Sequence, residues 1–151
     1  MKTNLIRVIL TLGALAITST TMNSDAVAQN PNELAGTSWK LVRLQAGDET
    51  TIVPGDGSKY TITFGANGRA SVRVDCNRGG GSWKYKGPNQ IQFGAMSITR
   101  EKCGANSLYD RIVREGASIR NYSIKDGHLF LSLLEEGGTY ELEPLRSNRN
   151  R

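Results

Sequence analysis

Apolar and polar residues alternate along most of the chain in short runs, and glycines separate the runs. Ser38 to Leu44 (SWKLVRL) puts Trp39 and Leu41 on one face of a strand. Gln45 to Ser58 holds Gly47, Pro54, Gly55 and Gly57 and is expected to be a long loop. Tyr60, Ile62 and Phe64 alternate with threonines, and Asn67-Gly68 is the strongest hairpin signal in the sequence. Ala70, Val72 and Val74 return on the far side of that turn. The pattern then predicts strands at Ser82–Lys86, Gln90–Phe93, Ile119–Ile124, Leu129–Leu134 and Tyr140–Leu142, with turns at Gly87-Pro88-Asn89, Asp126-Gly127 and Gly137-Gly138.

One segment has helical spacing. Leu108, Tyr109, Ile112 and Val113 form an apolar stripe within Ser107–Glu115. Asn106 or Ser107 can cap its start, Asp110 lies near the positive end of the dipole, and Gly116 ends it. Short strands with one helix indicate an α+β domain, mostly antiparallel β. The expected form is a cracked or partly open small β-barrel, with the helix over an end or a gap.

The N-terminus changes where this barrel should work. Lys2 and Arg7 precede the apolar run Val8–Ile17, and Ala26-Val27-Ala28 is a small-x-small cleavage pattern. The run is far shorter than the roughly 20 residues that span a bilayer. Residues 1–28 are therefore expected to be a signal peptide and 29–33 a linker. The domain should occupy 34–145, and the basic tail 146–151 lacks apolar residues to fold around. The expected location is periplasmic or secreted.

The chain carries a formal charge of +5, and loss of Lys2, Arg7 and Asp25 with the leader leaves +4. The charges are scattered, with no basic face carrying stacking aromatics, so no nucleic-acid partner is expected. Peripheral contact with anionic lipid is the simpler use of the charge. The protein is expected to act as a monomer.

Cys76 and Cys103 both follow the predicted cleavage point. In an oxidising compartment an even count suggests one disulfide. The competing reading is a thiol nucleophile at Cys76, which needs a base. The single histidine, His128, beside Asp126-Gly127, is expected to be an ordinary exposed side chain. There is no CxxC or HxxxH spacing, so no metal or cofactor is expected. Gly79-Gly80-Gly81 lacks the lysine and helix of a phosphate loop, and a turn or bulge passing close to a neighbour suits it better. Glu135 and Glu136, adjacent on a strand, would point to opposite faces and make a poor acid–base pair.

The order of elements resembles the META domain (HslJ-like) family of bacterial envelope proteins. The resemblance rests on Leu34-Ala35-Gly36-Thr37-Ser38-Trp39-Lys40-Leu41, Asp75-Cys76-Asn77-Arg78, Ile98-Thr99-Arg100-Glu101-Lys102-Cys103 and Leu129-Phe130-Leu131. The chain departs from the family pattern at Asp75, where a glycine is usual. It also departs at Gly79 and Gly80, in place of a larger residue and a serine, and at Glu101, in place of a methionine. The resemblance implies a cracked barrel similar to small pilotin proteins that can hold an acyl chain. It further implies an association with envelope stress and no established catalysis.

The expected activity is therefore binding of an envelope protein or an apolar or anionic ligand. Asn77, Arg78, Thr99 and Arg100 are the candidate binding residues, since the cysteines would bring their segments together. Arginine there could grip a carboxylate or phosphate. Equally, Asn77 and Thr99 could bond loop backbone while the arginines are solvated. Trp83 and Tyr85, with Trp39, could line a pocket or fill the core. The alternatives are a cysteine-dependent enzyme or redox protein using Cys76, and a secreted hydrolase inhibitor inserting the Gly79–Gly81 loop.

Overall fold

A computed structural model describes residues 33–146. The expected signal peptide, most of the linker and nearly all of the tail lie outside these residues. Alternating side chains build a meander of antiparallel strands: β1 (Thr37–Ala46), β2 (Thr51–Ile52), β3 (Tyr60–Phe64), β4 (Arg69–Val74), β5 (Asn77–Gly87) and β6 (Gln90–Ile98). After the helix α1 (Tyr109–Gly116) come β7 (Ile119–Lys125), β8 (His128–Leu133) and β9 (Gly138–Pro144). Strands β1 and β3 to β9 form a barrel that closes where β9 pairs with β1, and β2 is a short flap on β1.

The barrel is cracked at one seam. β6 and β7 pair only at Gln90↔Asn121, and the two strands then diverge. α1 lies at that gap.

The inward faces follow the period of two. Tyr60, Ile62 and Phe64 of β3 are buried, as are Leu129, Leu131 and Leu133 of β8. β1 breaks the period, because Trp39, Leu41 and Leu44 all point inward. A bulge between Leu41 and Arg43 absorbs the extra residue.

Several expectations are corrected. The Gln45–Ser58 loop contains β2 and a 3-10 turn at Gly57–Lys59. Of the turn or bulge expected at Gly79–Gly81, there is no turn: the glycines lie inside β5, paired with β4 on one side and β6 on the other, and a bulge in the β5–β6 pairing follows Gly81. The close approach does hold, since a Cβ on Gly79 would collide with the Ser97 carbonyl oxygen, and one on Gly80 would sit 2.7 Å from that of Ala70. The inhibitor reading loses its inserting loop. Glu135 and Glu136 are not on a strand but form the β8–β9 turn, with φ of 54° and 56°.

Candidate functional site

The segment after β4 is where the cysteines meet. Cys76 and Cys103 form a disulfide, with Cα atoms 5.7 Å apart across a sequence separation of 27. It joins the start of β5 to the loop between β6 and α1. Beside it Asn77 is fully buried. Its Oδ1 accepts from the Glu101 amide at 2.7 Å and from Thr99 Oγ1 at 2.8 Å. Its Nδ2 donates to the Glu101 carbonyl at 3.0 Å. Thr99 Oγ1 in turn accepts from the Arg78 amide at 3.0 Å. Asn77 and Thr99 thus spend their polar atoms on the protein itself.

The arginines behave differently. Arg78 and Arg100 are exposed, and among the described residues neither side chain forms a hydrogen bond or ion pair. Asp75, just before the disulfide, has φ of 59°, a left-handed conformation that glycine adopts freely and aspartate tolerates. The geometry suits the glycine that the family resemblance implies at this position. Lys59 Nζ lies 3.7 Å from the Asp75 carboxylate.

A cavity of about 350 Å³ opens along the crack between β6 and α1. Its depth is the barrel interior, with Leu41, Ile62, Val72 and Leu131 among the walls. Phe93 and Met96 of β6 flank it on one side, and Tyr109 and Ile112 of α1 on the other. Its size falls within the roughly 300–1,000 Å³ of ligand pockets, and the lining is mostly apolar. The charged residues in the lining are Arg73 and Arg100. Of the residues singled out from sequence, Arg100 alone reaches this cavity. Trp83 sits one layer behind, packed edge-on to Phe64 at 5.2 Å, with its Nε1–H donated to the Gly65 carbonyl. Phe64 stacks on Phe93, which reaches the cavity. Tyr85 packs against the core away from the cavity, and Trp39 is core, donating to Thr37 Oγ1.

Tyrosine hydroxyls hold α1 at the gap. The Leu108 amide donates to Tyr60 Oη at 3.1 Å, and Tyr140 Oη donates to Glu115 Oε2 at 2.6 Å. Tyr109 Oη donates to the Thr99 carbonyl at 3.0 Å, which couples the helix to the disulfide segment. Burial and then the Glu115 contact hold the Tyr140 phenol well above its usual range. Sequence reading passed over Tyr60 and Tyr140 because each occupies an ordinary core position. The available signal was a hydroxyl where phenylalanine would fill the same space. The helix start also differs: Ser107 Oγ accepts from the Tyr109 amide, but the N-cap is Leu108 and Tyr60 caps its amide. Gly116 is the last helical residue, with no left-handed cap after it.

His128 is half-buried rather than exposed, because its Nδ1 lies 2.8 Å from Glu141 Oε1 across the β8–β9 pair.

The META domain family model matches residues 32–146. No curated protein matches the chain. Among solved structures, an NMR structure of a protein from Burkholderia xenovorans is 24% identical with a TM-score of 0.66, over 87% of this chain and 99% of that one. The crystal structure of a DUF4847 family protein from Bacteroides vulgatus is 12% identical with a TM-score of 0.55, over 74% of this chain and 94% of that one. At these identities the likeness is one of fold.

Proposed function

This chain belongs to the META domain family, and from that premise we propose that it is an exported binding module whose barrel takes up an apolar group through the crack between β6 and α1. The observation that carries the reading is the cavity of about 350 Å³, mostly apolar in its lining, with Arg100 beside the disulfide segment as the lining charge that has no partner among the described residues. An apolar chain with an anionic end matches that polarity, because burial of the chain is favourable at about 25 cal/mol per Å². Arg100 would then meet the charge.

Binding rather than catalysis is the proposed activity. Both sulfurs are bonded to each other, and the one histidine is engaged with Glu141. Thiol chemistry at Cys76 would first require reduction. A periplasmic or secreted location and a role in envelope maintenance belong to the same proposal. The leader pattern at residues 1–28, the disulfide and the family resemblance support them.

Dodecanoate is the simplest probe. The full chain should bind it saturably, and Val72→Phe, which fills the cavity, should weaken binding roughly tenfold while the fold persists. Absence of saturable binding, or binding untouched by the substitution, would sink the reading.

A further inference from the structure

Beside the cavity runs a strand edge without a partner among the described residues. β6 forms a ladder with β5, yet it meets β7 only at Gln90↔Asn121. From Phe93 to Ile98 its other side borders the crack. An antiparallel ladder turns the main-chain groups of alternate residues to alternate sides. The Thr99 amide donates to the Arg78 carbonyl at 2.9 Å, so Thr99 and Ser97 face β5. Met96 and Ile98 therefore turn their amides and carbonyls toward the crack. No backbone hydrogen bond from α1 or the loop before it reaches either residue. The side chains of both line the cavity.

Exposed edges are normally blunted by charge, proline, brevity, a bulge or a covering helix or loop. β6 is nine residues long and the sequence QIQFGAMSI contains no charge and no proline; a bulge between Phe93 and Met96 leaves Met96–Ile98 as the regular stretch of the edge. A lipid chain can fill the cavity but cannot complete a strand ladder; a peptide backbone can do both. Charge selects further. The lining contains no carboxylate, and its charged members are Arg73 and Arg100. Arg73 already donates to the carbonyls of Asp75 and Ser58, which leaves Arg100, just past the end of β6, to meet an anion.

We propose that the open edge of β6 from Met96 to Ile98 docks an extended segment of a partner protein. The segment alternates apolar and polar residues, places the apolar ones in the cavity, and carries an acidic residue beside Arg100. This inference rests on the cavity being a binding site and specifies what enters it. The main chain adds as a strand, the side chains fill the pocket, and the rim sets the charge.

The test uses the full chain and a short blocked peptide of alternating valine and threonine, made in two versions with glutamate at either end. One version should bind and slow amide hydrogen exchange at Met96 and Ile98 by roughly tenfold or more. A copy N-methylated at the nitrogens facing β6 should bind roughly tenfold more weakly, since each ladder bond contributes about 1 kcal/mol. Arg100→Gln should weaken the glutamate peptide several-fold and leave its glutamine counterpart unchanged. Equal binding of the N-methylated copy, or binding without protection of Met96 and Ile98, overturns the proposal. So does failure of both peptides to bind. Dodecanoate separates the two failures: if it binds and the peptides do not, strand docking is wrong and the cavity reading stands. If neither binds, both are wrong.

Discussion

Asn77 holds the Glu101 main chain at both ends: its Nδ2 donates to the carbonyl at 3.0 Å and its Oδ1 accepts from the amide at 2.7 Å. Asn77 is buried next to the disulfide and fixes the path from β6 to α1. The two cysteines and this amide therefore act on the same segment, which carries Arg100 to the cavity rim.

Truncating that amide should be costly. Asn77→Ala strands the Glu101 amide and carbonyl and should lower unfolding free energy by about 2–4 kcal/mol in denaturant titrations. Asn77→Asp keeps the acceptor but sets a carboxylate against the Glu101 carbonyl. Its deficit should therefore be larger at neutral pH than in mild acid, where the carboxyl is protonated. A deficit under about 0.5 kcal/mol for Asn77→Ala, in the range of an ordinary surface change, would show that the clamp carries no stability.

The disulfide closes a loop with a sequence separation of 27, for which chain entropy gives about 3.5 kcal/mol. The Cys76→Ser/Cys103→Ser double variant should lose stability of that order, and reductant should destabilise the parent to a similar level. Reductant should leave the double variant unaffected. Equal stability of parent and variant would contradict a structural role for the crosslink.

Backbone fit gives a graded series across three sites. Asp75, at φ of 59°, should accept glycine with a change within about 1 kcal/mol, whereas Asp75→Val should cost roughly 2 kcal/mol. Gly79→Ala should cost more than about 2 kcal/mol, because its Cβ meets the Ser97 carbonyl. Gly55→Ala, with open space around it, should be nearly neutral. Denaturant midpoints of the four variants rank the effects, and a Gly79→Ala as stable as Gly55→Ala would refute the close strand crossing.

How much of this was legible follows from the residue patterns themselves. The Tyr60–Ile62–Phe64 alternation has one solution, and the structure buries all three. Leu44 could not be assigned a face, because a bulge is a tertiary adjustment that a period of two does not reveal. The triple glycine fits a turn or a bulge equally in sequence, and the structure has a bulge just after Gly81 but no turn. The lack of a side chain lets β5 run close to β4 and β6. The cysteine pair was readable from its even count together with the expected export. The cavity was not, since it depends on where β6 parts from β7 and on tyrosines that differ from phenylalanine only by a hydroxyl.

Alkaline pH probes the interior. Burial, followed by the charge of Glu33, pushes the Tyr122 phenol from 10.0 up to about 12. The folded state thus keeps this proton longer than the unfolded state. The contribution is fully present below pH 10.0 and is lost as pH rises through about 12. Tyr122→Phe should flatten the decline of stability across that interval. The Tyr140 phenol, raised in the same direction, leaves a residual slope. Parallel pH–stability curves for parent and variant would contradict the shift.

The cavity is most directly tested by magnetisation transfer between bound dodecanoate and the methyl groups of the full chain. Cross-peaks from the alkyl chain to Val72, Met96, Ile112 and Leu131 are predicted, because these four line the interior and both sides of the crack. Contacts confined to the outer surface, or none at all from a folded chain, would contradict uptake into the barrel.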